Sequence, residues 1–169
     1  RLALEVRRLA RDEGGVGTVG RMTAAPGIPT AVAGWCELTL DQRHLDPDGL
    51  ERMLTGAREA GRRIAAEEGV EVEWERIWRI DPIPFHPELL DRCERAVREV
   101  AGTAHRLPSG PLHDAAEVAR AGVPTAMLFV QSLGGLSHTR EEDTRVEHLE
   151  LAVRALDRAA DLALEWADR

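Results

Sequence analysis

The segment PTAMLFV (124–130) is the most hydrophobic run in the chain and constrains the fold more than any other stretch. A continuously apolar run suits a central parallel strand that is covered on both faces. A lone strand cannot form a sheet, so its neighbours must come from elsewhere. Helical spacing surrounds this strand, with helices predicted from Pro87 to Gly102, over 113–121 and along the last 25 residues. The second half therefore reads as helix, loop, helix, strand and helix, which is part of a layered α/β domain.

The first half predicts a small α+β sandwich of roughly 80 residues. A short amphipathic helix ends at Gly14-Gly15, and strands follow at 16–27 and 31–43. Asp46-Pro47 is a helix start, an acidic N-cap followed by proline, and that helix runs to Gly69. Residues 70–80 alternate apolar and charged side chains, which predicts a strand with one wet face. We expect antiparallel strands, with helices on one face and the other face free for a partner.

Three prolines in DPIPFHP (81–87) indicate a linker. The sequence therefore predicts two domains, residues 1–82 and 83–169. The chain begins on Arg1 inside a helical pattern, and we expect it to be a fragment or a processed piece of a longer protein.

Composition excludes several classes of function. The net charge of −8 argues against a nucleic-acid partner, although a single arginine can still bind a small carboxylate. No apolar run approaches the roughly 20 residues that span a bilayer, and the charged N-terminus does not look like a signal peptide. Cys36 and Cys93 lie far apart, so the simple expectation is a reducing, cytoplasmic location.

Three stretches could carry chemistry. SLGGLSH (132–138) follows the apolar strand, and ligands of open α/β sheets bind at the carboxyl ends of strands, so His138 is either a metal ligand or a solvent-facing residue of a plain turn. HDAAE places His113 and Asp114 at a helix start, as an anion site or as an ordinary cap. LTLDQRH ends a strand with Arg43, which either binds a carboxylate or is solvated. His44, His86, His105 and His148 look like surface or capping residues.

In order, three stretches of this chain resemble the C-terminal half of the hydantoinase/carbamoylase branch of the M20 metallopeptidases: VGTVG through LTLDQRH (16–44), PSG-PLHDA (108–115) and MLFVQSLGGLSH (127–138) with Glu142 following. That branch includes N-carbamoyl-L-amino-acid hydrolases, allantoate amidohydrolases and β-ureidopropionases. The resemblance covers essentially the whole chain. No Gly-x-Ser-x-Gly, P-loop or Cys/His zinc pattern competes with it.

The resemblance implies a ferredoxin-like α+β lid or dimerisation domain at 1–82 and the C-terminal portion of an α/β catalytic domain at 83–169. It implies a dimeric hydrolase in which two divalent metal ions (Zn, Mn, Co or Ni) activate a water that attacks a ureido or amide carbon, with a glutamate as general base. His138 matches the last metal ligand and Arg43 the arginine that binds the substrate carboxylate. Ser109, Gly110 and His113 match the loop that lines the substrate pocket.

The sequence departs from the family pattern at Thr30, which stands where a substrate-contacting asparagine is usual, and at Pro111-Leu112, which replace Ala-Gly. The remaining metal ligands and the general-base glutamate belong to a part of the family that precedes these motifs, so this chain alone is expected to be inactive. Two alternatives stay open: a non-catalytic binding or dimerisation module, and an M20 aminopeptidase or deacylase.

Overall fold

The computed structural model describes residues 1–168. The chain divides into two compact units, Arg1–Pro82 and Ile83–Arg169, and the boundary falls in the proline-rich segment 81–87. The first unit consists of α1 (Leu2–Asp12), β1 (Val16–Ala25), β2 (Trp35–Arg43) and α2 (Pro47–Glu68). Each of these elements agrees with the local sequence pattern to within a few residues.

Local signals set the ends of α2. The Asp46 carboxylate accepts hydrogen bonds from the backbone N–H groups of Asp48 (3.2 Å) and Gly49 (3.0 Å), which otherwise lack partners in the first turn. Pro47 occupies the first helical position, where its missing N–H costs nothing. Gly69 ends the helix at φ +65°, a left-handed conformation that glycine adopts readily.

β1 and β2 form an antiparallel pair that places Arg43 at the open end of the hairpin. Val16 pairs with Arg43 at that end and Ala25 with Trp35 at the other. α1 packs against both β1 and α2. The closeness of α1 and β1 depends on Gly17, where an added Cβ would lie 2.9 Å from the Cβ of Ala10. The buried side chains of this unit are mostly alanine: Val6, Ala10, Met53, Ala57, Ala60 and Ala65.

The strand predicted at 70–80 is wrong. Within residues 1–168 the sheet contains β1 and β2 only, and residues 70–86 carry no regular secondary structure. Apolar alternation indicates which side chains share a face, but a strand also needs a neighbour for its backbone hydrogen bonds. Trp74 keeps a packing role, since its indole ring lies across Gly61 of α2.

The second unit contains α3 (Pro87–Ala101), α4 (Asp114–Arg120), a 3₁₀ turn (Leu133–Gly135) and α5 (Val146–Ala167). α3 and α5 pack around Ala96, Ala159 and Leu162, with Cys93 and Leu128 against them. Arg92 reinforces this contact, because its Nε donates to the Leu162 carbonyl oxygen at 3.1 Å. Its guanidinium also lies 5.5 Å from the Trp166 ring centroid, within cation–π range.

The central strand predicted at 124–130 does not form in the described part of the second unit. No other strand is present there to donate or accept ladder hydrogen bonds, and Phe129 and Val130 are exposed. Leu128 nevertheless packs on the α3–α5 core. The observed architecture is thus mixed helix with a small sheet, and the ferredoxin-like lid stays a prediction. No helix among residues 1–168 is both long and apolar enough to cross a bilayer.

Candidate functional site

His138 lies in a loop whose backbone is tightly constrained. Gly134 and Gly135 adopt φ +62° and +68°, and His138 itself adopts φ +59°, a region that few residues other than glycine enter. The Leu133 N–H donates to the Asp143 carbonyl oxygen at 2.7 Å, which closes the loop. The His138 N–H donates to the Glu142 carboxylate at 2.6 Å. These two hydrogen bonds fix the loop backbone on either side of the turn, and the loop presents a single histidine.

The His138 side chain is exposed and its ring has a defined orientation. Nδ1 hydrogen-bonds the Ser137 hydroxyl at 2.8 Å. In the part of the chain that the structure describes, Nε2 makes no hydrogen bond. Metal-ligating histidines commonly engage one ring nitrogen in such a contact while the other faces the metal. His138 therefore fits one position of a metal site, with Nε2 as the donor atom.

The described residues do not supply a complete metal site. No group of three or more His, Cys, Asp or Glu side chains converges in residues 1–168 on a point that an ion could occupy. Glu142 is close to His138, but its carboxylate is engaged by the backbone N–H of that histidine. A protein site for a divalent transition metal usually needs at least three protein ligands. His138 alone does not hold an ion.

Arg43 ends β2 in a two-point ion pair with Asp41. Its Nε donates to Asp41 Oδ1 at 2.9 Å and a terminal nitrogen donates to Oδ2 at 2.8 Å. The hydrogen bonds that Arg43 donates to Asp41 are the main reason that the pKa of Arg43 is raised above its ordinary value. Half of the Arg43 side chain remains exposed. The guanidinium is therefore charged, planar and pre-oriented for a carboxylate.

The other predicted site residues lie on exposed loops. In the first unit Thr30 belongs to the loop between β1 and β2. In the second unit Gly110 is exposed, and the Ser109 hydroxyl donates to the Pro111 carbonyl oxygen at 2.8 Å. His113 is the N-cap residue of α4, and its side chain makes no capping hydrogen bond. The side chains of Ser109 and His138 hydrogen-bond residues that lie one or two positions away in sequence.

Three of the four remaining histidines are more buried than the sequence suggested. His86 packs against Trp166 with ring centroids 5.0 Å apart, and His86 and His148 each carry a buried Nδ1 without a hydrogen-bond partner in the described residues. His44 is half-buried and joins two helix ends. His105 is exposed, as expected. Sequence spacing missed the role of His44, because its partner Glu13 lies 31 residues away along the chain.

Most of the chain matches one known protein family. Residues 8–162 match the peptidase family M20/M25/M40. The chain belongs to this family. The matched range includes both Arg43 and His138, and it includes the three segments on which the resemblance to the hydantoinase/carbamoylase branch was based. That resemblance is confirmed.

Individual proteins to which the chain is similar support the family assignment. The chain is 31% identical over 139 residues to allantoate amidohydrolase of Bacillus subtilis, which covers 82% of this chain and 34% of that protein. It is 30% identical over 147 residues to N-carbamoyl-L-amino-acid amidohydrolase of Paenarthrobacter aurescens, covering 86% and 35%. It also resembles the crystal structure of a hydantoinase/carbamoylase family amidase from Burkholderia multivorans, with a TM-score of 0.81, 33% identity and coverage of 94% and 40%.

The chain spans about a third of the length of the curated M20 relatives it matches and two-fifths of the solved structure. A match of this extent identifies the family.

Proposed function

We propose that the protein acts as a metal-dependent amidohydrolase that cleaves a ureido or amide C–N bond of an N-carbamoyl amino acid or a related compound. We further propose that these 169 residues are part of the enzyme and are inactive alone. The observation that carries the proposal is the His138 loop, in which Ser137 orients the ring and a strained backbone presents Nε2 outward. Such an arrangement suits a metal ligand better than a surface histidine.

In the proposed enzyme His138 is one metal ligand, and the other ligands and the general-base glutamate come from outside these residues. Divalent ions in such enzymes supply Lewis-acid activation of water. The 169 residues contribute a fixed imidazole and a carboxylate-binding arginine. They act by binding and orienting the substrate.

Arg43 is proposed to bind the substrate carboxylate by exchange with Asp41. The two oxygens of Asp41 occupy the same pair of donors that a substrate carboxylate would use. An exposed ion pair of this kind contributes about 0–1 kcal/mol, so its replacement by a substrate carboxylate is energetically accessible. Thr30, Ser109, Gly110 and His113 are proposed to contact the substrate around it.

The proposed partners are a small carboxylate-bearing substrate and a second copy of the protein, which would pair through the first unit. We propose a cytoplasmic location. An M20 aminopeptidase or deacylase would use the same His138 and Arg43, and differs only in the group attached to the substrate nitrogen. Turnover of N-carbamoyl against N-acyl amino acids separates these two activities.

The proposal is tested on the full-length gene product that contains these residues. Metal content and hydrolysis of N-carbamoyl amino acids are measured for the wild type, His138→Ala, His138→Asn and the exposed control His105→Ala. We expect both His138 variants to lose bound metal and at least about a hundredfold in rate, since even a change to a group that only orients a metal ligand costs about 10–100-fold. His105→Ala should match the wild type. Full metal content and activity in His138→Ala would refute the assignment.

A further inference from the structure

His44 occupies a slot between two glycines at the base of the hairpin. A Cβ added to Gly49 would lie 2.3 to 2.8 Å from three atoms of the His44 ring, and a Cβ added to Gly15 would lie 3.0 Å from its Cδ2. Side chains at these two positions would therefore displace the ring. Because glycine has no Cβ, the backbone at both positions approaches the imidazole more closely than it could with any other residue, and this fixes the ring from two sides.

The two ring nitrogens bind two helix ends. Nε2 lies 2.9 Å from the carbonyl oxygen of Glu13, which caps the C-terminus of α1. Nδ1 lies 2.9 Å from both the backbone nitrogen and the carbonyl oxygen of Asp46, the N-cap of α2. The ring therefore contacts backbone groups at the C-terminal end of one helix and at the N-terminal end of another.

Both ring nitrogens thus have backbone partners, Nε2 on the side of α1 and Nδ1 on the side of α2. The carboxylates next to the ring are already paired, because Arg52 contacts Glu13 at 2.8 Å and Asp46 at 3.8 Å. Arg52 therefore links the same two helix ends that the His44 ring joins.

His44 directly follows Arg43, and the same contacts hold the backbone of both residues. The Arg43 carbonyl oxygen would lie 2.7 Å from a Cβ on Gly15, and Arg43 pairs with Val16 at the end of the ladder. Beyond Arg43 the chain leaves the sheet, so the ladder cannot fix its direction there. The His44 ring supplies the missing constraint by tying this point to α1 and α2.

We propose that His44 is a positioning residue for Arg43, which fixes the end of β2 from which the guanidinium reaches a substrate carboxylate. The inference rests on the proposed function of Arg43 and adds a residue to it. His44 contacts no substrate in this scheme. It acts by reducing the number of directions in which Arg43 can point, and its effect therefore falls on substrate binding.

The test is a double-mutant cycle in the full-length enzyme, with kcat and KM measured for an N-carbamoyl amino acid. His44→Ala should raise KM about tenfold, the effect of losing one to two net hydrogen bonds, while kcat stays within about threefold of the wild type. In an Arg43→Ala background the same change should raise KM no further, because there is no guanidinium left to orient. His44→Gln, whose amide can still donate to Glu13, should recover most of the loss.

Controls separate the positioning role from a fault in folding and from failure of the proposed function. Melting temperatures are measured for every variant, and His105→Ala serves as the exposed histidine control. If Arg43→Ala raises KM but His44→Ala adds to it fully in the double variant, the positioning role is wrong and the proposed function stands. If Arg43→Ala leaves KM unchanged, the assignment of Arg43 is wrong, and the positioning role with it.

A readout that needs no activity covers the remaining case, in which the full-length protein does not turn over carbamoyl substrates. Hydrogen exchange in the 169-residue chain reports the protection of the backbone N–H of Arg43. We expect faster exchange at Arg43 in His44→Ala than in the wild type. Unchanged exchange would overturn the inference.

Discussion

Gly49→Ala tests how tightly the His44 ring is held. In most helices a glycine-to-alanine change stabilises by up to about 1 kcal/mol, because alanine loses less backbone entropy. At Gly49 the new Cβ would lie 2.3 Å from Cε1, 2.4 Å from Nδ1 and 2.8 Å from Nε2 of His44. The ring must move, and its contacts with Glu13 and Asp46 are lost. Two hydrogen bonds contribute a net 1–3 kcal/mol or so. We expect a net destabilisation of about 1–2 kcal/mol.

Gly56→Ala is the matched control within the same helix. There the added Cβ meets two methyl carbons of Leu9 at 3.1 and 3.3 Å, and these can shift by a few tenths of an ångström. The gain in helix propensity should therefore prevail, leaving Gly56→Ala between neutral and about 1 kcal/mol more stable than the wild type. The two variants make the same chemical change with opposite expected signs.

Urea unfolding of the 169-residue chain measures both effects. A Trp166→Phe background leaves Trp35, Trp74 and Trp78 as fluorescent reporters, all of them in the first unit. A lower midpoint with an unchanged slope against urea identifies a change in the free energy of unfolding. If Gly49→Ala is as stable as Gly56→Ala, the account of the ring between two glycines is refuted.

Three further outcomes are expected. Leu162 is 3% exposed in the α3–α5 core, and Leu162→Ala should lower the free energy of unfolding by about 2–5 kcal/mol. Leu164 is 65% exposed, and Leu164→Ala should change the free energy of unfolding by less than about 0.5 kcal/mol. Urea unfolding measures both variants. Asp46→Ala should cost about 1 kcal/mol and Asp46→Asn much less, since asparagine still caps the helix. Burial raises the pKa of the Cys93 thiol, so less of the reactive thiolate is present at pH 8. We therefore expect Cys93, measured in Cys36→Ser, to be alkylated several-fold more slowly at pH 8 than the exposed Cys36, measured in Cys93→Ser. Equal alkylation rates would contradict this.

The helices were predictable because their signals are local. Asp46, Pro47 and Gly69 bound α2 through contacts that reach no further than a helical turn, and Pro87 and Gly102 do the same for α3. Composition and capping within a short window are sufficient to place such elements. The hairpin was predictable for a related reason, since its two strands are neighbours in sequence and pair directly.

Residues 70–80 and 124–130 were mispredicted as strands because strand formation depends on distant partners. Their patterns correctly mark apolar contacts, as Trp74 and Leu128 do pack on helices. What the pattern lacks is the identity of the neighbouring strand, which is a property of the sheet and not of the segment.

The candidate site shows the same difference between local signals and contacts with distant residues. The positions of Arg43 and His138 at element ends could be predicted from the sequence, and their chemistry was suggested by the resemblance. The pairing of Arg43 with Asp41 was accessible too, since residues two apart in a strand share a face. The role of His44 was not, because its partner Glu13 is 31 residues away. Only the folded hairpin brings them together.

The left-handed backbone at His138 restricts which amino acids this position can hold. β-Branched residues are strongly disfavoured at φ +59°, while asparagine, aspartate and histidine enter this region several times more often than other side chains. Of these three, histidine and aspartate are also common ligands of divalent transition metals. Backbone conformation and ligand chemistry thus restrict this position to the same few residue types. Most random substitutions of His138 should therefore disturb the loop conformation before any effect on metal binding matters.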